Sequence, residues 1–208
     1  MFDRFIESTL LMFVAIDPIS LVPIFAGLTS GVSQHQVKSI YIRASIVSLI
    51  VLSIFWLFGN AILVAMNISM DSFRIIGGLF LIVIAFQMVF DQRQKRREET
   101  IEEAMDDEEL SSLATFPLAI PLIAGPGAIT LAMLLSEKSG VSIESQLIGF
   151  SPILIVLVLT AFSMWASGTI AKKLPISVLG ALQRTFGLLL GALAIEFVIE
   201  GLRQTFNI

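Results

Sequence analysis

The 208-residue sequence contains no cysteine and a single histidine, His35. The absence of cysteine excludes disulfides, cysteine-ligated zinc, iron–sulfur clusters and thiol catalysis. One histidine argues against a histidine-ligated metal site. We therefore predict that the protein binds no metal and no cofactor.

Charged residues are also scarce, at 14% of the chain, whereas hydrophobic residues make up 56%. Soluble domains are typically about a quarter charged, and the mean hydropathy here is +0.91. The net charge of −4 gives no basic field for nucleic acid. Metalloprotease, serine-hydrolase, P-loop and dinucleotide-binding motifs are all missing from the sequence. The composition predicts a polytopic membrane protein that is surrounded by the lipid bilayer and has no catalytic residues.

Six stretches are long and apolar enough to cross the bilayer as helices, which takes about 20 residues each. They lie at 8–28, 42–66, 75–90, 116–135, 147–170 and 178–202. Alternating ten-residue segments, which are typical of a membrane barrel, are not found. We predict an all-α fold with six transmembrane helices.

The basic residues predict the orientation of these helices, because cytoplasmic loops carry an excess of lysine and arginine. Nine basic residues lie on the side that holds the first, third and fifth loops. Four lie on the side of the termini: Arg4, Arg74, Lys138 and Arg203. This bias predicts that both termini are outside the cytoplasm.

The only sizeable polar segment lies between the two halves of the chain. It begins with Arg93, Lys95, Arg96 and Arg97 and is acidic from Glu98 to Glu109. The basic start suits the negative dipole at the end of the third span, and the acidic run is typical of a solvated linker. We predict a three-helix repeat at 1–90, a cytoplasmic linker at 91–113 and a second three-helix repeat at 114–208.

The two halves resemble each other at a nearly constant offset. Asp17-Pro18 corresponds to Gly125-Pro126 at an offset of 108 residues, and SGVS at 30–33 corresponds to SGVS at 139–142 at an offset of 109. Arg74 corresponds to Arg184 at an offset of 110. Because each half has three spans, the second half would enter the membrane from the opposite side. This predicts an inverted-topology repeat, as in many secondary transporters; the alternative is a symmetric scaffold without transport.

Asp17 and Pro18 lie in the middle of the first span. An ionised carboxylate there is unfavourable by about 2.5–3.5 kcal/mol on insertion scales. Aspartate is a preferred N-cap, and proline is preferred at the first helical position. We predict that a half-helix begins here inside the membrane, and that Asp17 is functional rather than only a cap.

Gly125, Pro126 and Gly127 predict a second break, in the fourth span. The free N–H groups at such a helix start attract a carboxylate. Our hypothesis is that this helix start holds a substrate carboxylate, while Asp17 faces the substrate ammonium or a coupling proton. A small zwitterion, such as a neutral amino acid, would fit that pair.

Several other polar residues are candidates at membrane depth. Ser20 and Thr130, one turn from the breaks, could contact the substrate or bond back to their own helices. Glu196, in the sixth span, could couple a proton or pair with a polar group. The glycines at 77–78 and 187–191 predict close packing of the third and sixth spans, with homo-oligomer formation as the alternative.

Three blocks of the sequence closely resemble those of the MarC family: DPISLVPIF at 17–25, FRIIGG at 73–78 and PLAIPLIAGPG at 117–127. The resemblance covers nearly the whole chain outside the linker. It implies a six-span inner-membrane protein of bacteria or archaea. It also implies a secondary transporter, with export as the suggested direction, for small neutral amino acids such as glycine and alanine. The alternatives are a passive channel for a small solute and a membrane scaffold that does not transport.

Overall fold

The computed structural model describes residues 2–107, 112–140, 142–171 and 175–207, and all regular structure within those ranges is helical. Eight α-helices are described there: α1 (Phe2–Ile16), α2 (Pro18–Leu28), α3 (Gln34–Ala65), α4 (Met70–Val89), α5 (Gln92–Asp107), α6 (Pro126–Lys138), α7 (Ile143–Ile170) and α8 (Ile176–Phe206). A kinked helical stretch, Ala114–Ile123, precedes α6 and is called the proline segment below.

The lengths and hydropathies of these helices are those of membrane spans. Five stretches qualify by themselves, including Phe5–Leu28 across the junction of α1 and α2. A sixth is obtained when the proline segment and α6, which are bent by 59°, count as one span. The prediction of an all-helical membrane protein is confirmed, and the six predicted stretches coincide with these spans.

The first span breaks at Asp17, as predicted. Asp17 adopts the left-handed conformation, with φ 56° and ψ 67°, so the chain changes direction between α1 and α2. Its side chain caps α2 by accepting a hydrogen bond from the Ser20 N–H at 3.3 Å. Pro18 occupies the first turn of α2, where the lack of an N–H does no harm.

The fourth span breaks because of its prolines and glycines. Phe116 and Ile120 each precede a proline and have extended backbone angles, φ −129° and ψ 129° for the first and φ −128° and ψ 121° for the second, as steric contact with the proline ring requires. Gly125 then stands at the N-cap of α6 with no side chain to satisfy the first N–H groups. Among the described residues, no side chain caps the start of α6.

Helices α4 and α8 pack closely and run antiparallel. A Cβ atom on Gly78 would lie 2.8 Å from the Ala194 carbonyl oxygen, and one on Gly187 would lie 2.9 Å from the Ala85 carbonyl oxygen. Only glycine allows backbones to approach this closely. The predicted glycine packing of the third and sixth spans within one chain is confirmed at these two positions.

One end of the bundle, called the Arg74 end below, contains a polar cluster. Arg74 is only 2% exposed, and its guanidinium contacts Glu137 at 2.6 Å and Gln204 at 2.7 Å. Phe5, near the start of α1, and Glu200, near the end of α8, both line a cavity at this end of the bundle. Helix α1 therefore begins at the end of the bundle where α8 finishes. Arg74, which begins the third span in the sequence, is therefore the centre of a buried ion-pair cluster.

The two halves share local details. Gly31 and Gly140 have φ of +78° and +79°, which favours glycine. Each is followed two residues later by a serine that caps the next long helix, α3 or α7. Helix α2 packs against α7, and α6 packs in the corresponding way against α3.

Candidate functional site

The buried carboxylate of Asp17 lies at the centre of a hydrogen-bonded network. Asp17 is 4% exposed and Ser20 is fully buried. The Ser20 hydroxyl donates to the Asp17 carboxylate and accepts a hydrogen bond from Gln183 of α8 at 2.5 Å. The network therefore links the first break to the last helix of the chain.

Two buried arginines of α5 cap the end of α1. Arg93 donates to the carbonyl oxygens of Val14, at 3.4 Å, and Ala15. Arg97 donates to those of Ile16, at 2.9 Å, and Asp17, at 3.4 Å. The last carbonyls of a helix have no partner within the helix. The two guanidiniums thus satisfy the acceptors that the break leaves free.

The same arginines neutralise Asp17. Its Oδ2 atom lies 3.9 Å from Nε of Arg93 and 3.8 Å from Nη1 of Arg97. Burial and, to a smaller extent, the neighbouring Arg97 charge lower the pKa of Arg93 to about 9, although the Asp17 carboxylate opposes the shift. Burial also lowers the pKa of Arg97, against the opposing effect of Asp17. With a pKa of about 9, Arg93 is still a cation at neutral pH.

Arg97 also joins the two helix breaks. Its Nη2 atom donates to the Ile16 carbonyl of the first break and, at 3.3 Å, to the Leu122 carbonyl of the second. The two breaks therefore meet within the width of one guanidinium group.

The position of these arginines corrects the expected role of the polar segment. Its basic residues were predicted to interact with the negative dipole at the end of the third span. Its acidic residues were predicted to be exposed to solvent. Instead Arg93, Arg97 and Ile101 form a buried face of α5, and both arginines reach the end of α1. Glu98 and Glu99 are exposed as expected, and the acidic run from 102 lies outside the side chains that the structure describes.

A cavity of about 210 Å³, called the Arg93-end cavity below, opens beside the convergence. Three arginines line it, namely Arg93, Arg96 and Arg97. It is also bordered by the uncapped start of α6, at Gly125, Pro126, Gly127 and Ala128. An arginine-rich wall beside free helix N–H groups is a favourable environment for an anion.

Two polar side chains of this cavity have free hydrogen-bonding capacity. In the part of the chain that the structure describes, Arg96 has no ion pair and its guanidinium no hydrogen bond, although Thr100 donates to its carbonyl. The Gln87 amide is likewise without a hydrogen-bond partner there. Both side chains line the cavity, so they are available to a bound solute.

The structure brings some of the predicted site residues together and separates others. Gly125, Pro126 and Gly127 line the cavity. Asp17 contacts two of the arginines that line it, and Ser20 is hydrogen-bonded to Asp17, while Pro18 is buried in the first turn of α2. Thr130 is buried, with its methyl group against Gly77 of α4. Glu196 is exposed on the surface of α8, away from the cavity.

Sequence reasoning missed Arg93, Arg97, Arg96, Gln87 and Gln183 as members of the site. Arg93, Arg97 and Ile101 recur every four residues, the spacing of one helix face. That spacing was the available signal, and the dense charge around it was interpreted as a solvated linker. Gln87 and Gln183 have no such signal, because single amides in spans usually join helices.

A bundle of apolar helices, with two broken helices meeting at a charged and buried centre, is the structure of a polytopic integral membrane protein. Residues 2–206 match the model of the MarC family integral membrane proteins. The chain therefore belongs to the MarC family, as its sequence blocks indicated.

Curated relatives support the same membership. A UPF0056 membrane protein of Methanocaldococcus jannaschii is 35% identical over 94% of this chain and 85% of its own length. The UPF0056 membrane protein YhcE of Escherichia coli is 31% identical over 94% of this chain and 90% of its own. YvbG of Bacillus subtilis is 30% identical over the whole chain and 98% of its own length. No solved structure matches the chain.

Proposed function

We propose that the protein is a secondary transporter of small neutral amino acids, such as glycine and alanine, that works by alternating access. The observation that carries the proposal is the meeting of two broken helices at Arg97, beside a small cation-lined cavity. Discontinuous helices whose ends face a site inside the membrane are typical of secondary transporters.

An inverted repeat is part of this proposal. The equivalent helices α4 and α8 run antiparallel, as they would if the halves had opposite topology. The pairing of α2 with α7 corresponds to that of α6 with α3, and the two glycine–serine turns have the same geometry. Two halves related in this way favour two states of similar energy, which alternating access requires.

The size and charge of the Arg93-end cavity support a small solute with a carboxylate. Its volume of about 210 Å³ is below the roughly 300–1,000 Å³ of sites for drug-sized ligands. The Arg96 guanidinium and the start of α6 would bind the carboxylate. Gln87 would bind the amino group through its carbonyl oxygen.

Asp17 has a different role in this proposal from the one the sequence suggested. Its carboxylate is already engaged by Ser20, Arg93 and Arg97. We assign it to holding the two arginines at the break, rather than to the substrate ammonium. Proton coupling through Asp17 or Glu196 is not needed for the binding step.

The proposal places the protein in the inner membrane of a bacterium or archaeon, with α5 in the cytoplasm and both termini outside. The excess of basic residues on the loops at the Arg93 end supports that orientation. A transporter of this kind needs no cofactor and no catalytic residue, which agrees with the missing enzyme motifs.

The test is uptake of labelled glycine and alanine into proteoliposomes. Arg96→Gln should raise the KM about tenfold or more, because a hydrogen bond to a charged group contributes about 1.5–3 kcal/mol. The control is Lys95→Gln, which removes the same charge from an exposed neighbour outside the cavity and should change the KM less than twofold. Absence of uptake by the folded wild-type protein would overturn the proposal.

A further inference from the structure

The Arg74 end of the bundle contains a second and larger cavity, of about 600 Å³, called the Arg74-end cavity below. Its lining carries both signs of charge: Lys138 lies 3.2 Å from Glu200, and Glu7 lines the same space. A lining of mixed charge suits the zwitterion that the proposed function requires. Nothing in that proposal yet uses this cavity.

The two cavities lie along the same faces of α1 and α6, which pack together. On α1, Ser8 and Leu11 line the Arg74-end cavity, and Ala15 lines the Arg93-end cavity. These positions follow the three- and four-residue spacing of one helix face.

Helix α6 shows the same arrangement in the opposite direction. Ala128 lines the Arg93-end cavity, and Leu135 and Ser139 line the Arg74-end cavity. Ala132 lies between them on the same face, four residues after Ala128 and three before Leu135. One face of each helix therefore runs from one cavity to the other.

The wall between the cavities is thin and apolar. Leu11 and Ala15 are four residues apart, or about 6 Å along α1, and Ala128 and Leu135 are seven apart, or about 10 Å along α6. The hydrocarbon core of a bilayer is about 30 Å thick. The wall residues Met12, Leu131 and Ala132 are all fully buried.

We infer that the substrate crosses the membrane between α1 and α6, and that Met12, Leu131 and Ala132 form the barrier between the two cavities. This inference rests on the proposed transport function. The Arg74-end cavity is then the opposite entrance of the path, which binds the zwitterion before the barrier opens. Because the barrier is about one to two helical turns thick, a small relative movement of α1 and α6 would open it.

The natural absence of cysteine makes cysteine accessibility a direct test. In proteoliposomes, Ala132→Cys should react with a small charged, membrane-impermeant methanethiosulfonate from both sides as the barrier opens. The matched control is Ala194→Cys, which is equally buried but lies in the contact between α4 and α8. Ser8→Cys and Thr100→Cys mark the two cavities and should react freely, each from its own side.

We expect Ala132→Cys to react at least tenfold faster than Ala194→Cys. If Ala132→Cys does not fold, Met12→Cys tests the same barrier from α1. A barrier cysteine that reacts no faster than Ala194→Cys, while Ser8→Cys reacts at once, would overturn the inference. If Ala132→Cys is labelled but the protein takes up no amino acid, the path is supported and amino acids are refuted as its substrate. If amino acids are taken up but Ala132→Cys does not react, the path lies elsewhere in the protein.

Discussion

Replacement of Arg97 by methionine is the perturbation that most directly tests the structure of the site. Methionine keeps a long, flexible side chain of similar reach but has no hydrogen-bond donor and no charge. The change would leave the carbonyl oxygens of Ile16, Asp17 and Leu122 without this donor and remove one of the two cations beside the Asp17 carboxylate. Arg97 is only 6% exposed, so water cannot readily replace it.

The expected loss of stability is large. Removing one partner of a buried ion pair lowers the free energy of unfolding by about 3–5 kcal/mol. No further loss is added for the three carbonyl oxygens that lose their donor, because such effects are not additive. For a chain of this length, 1 kcal/mol shifts the Tm by roughly 2–4 °C. Arg97→Met should therefore lower the Tm in detergent by about 6–20 °C, measured by circular dichroism or by a fluorescence-based melt.

The matched control is Arg96→Met, one residue away on the same helix. The Arg96 side chain is exposed and has no partner among the described residues, so its loss should change the stability by about 0.5 kcal/mol or less. A double-mutant cycle adds Asp17→Asn, and the combined loss should be smaller than the sum of the single losses. Equal melting temperatures for Arg97→Met and Arg96→Met would refute the assignment of Arg97 as the link between the breaks.

Two further predictions concern the packing of the bundle and its Arg74 end. Gly187→Leu should destabilise the fold by about 1–3 kcal/mol, because the new side chain would be overpacked against the Ala85 carbonyl. The control, Gly168→Ala, has nothing within 4 Å of the new Cβ and should leave stability unchanged or raise it by up to about 1 kcal/mol. Thermal melts compare the two variants, and a reversed order of their melting temperatures would show that the α4–α8 contact is wrong. Arg74→Gln should lower the Tm clearly more than Arg203→Gln, because Arg74 is 2% exposed and ion-paired while Arg203 lies on the surface; equal effects would contradict the buried cluster.

Periodicity and helix-breaking residues were enough to predict the spans, the two breaks and the glycine contacts. Long apolar runs determine spans because backbone polar groups must be satisfied inside lipid. Asp17 followed by Pro18 predicts a helix start, because both residues have a specific place in helix termini. These features depend on residues that are close in the chain, so the sequence alone carries them.

The partners of Asp17 could not be predicted in the same way. Arg93 and Arg97 are about 80 residues away from it in the chain, within a segment whose charges favour solvent. Their burial depends on the free carbonyls of α1, which exist only once the break has formed. Arg74 shows the same limit, because its position at the start of a span is compatible with both an interface anchor and a buried ion pair.

Counterflow in proteoliposomes tests the central claim most directly. Vesicles are loaded with unlabelled alanine, and labelled alanine is added outside at trace concentration, with protein-free liposomes as the control. A carrier that alternates access predicts transient accumulation of the label above its equilibrium level, and accumulation about tenfold slower in Arg96→Gln, as its raised KM requires. Label that only equilibrates would show a passive channel, and label that does not enter would contradict amino-acid transport altogether.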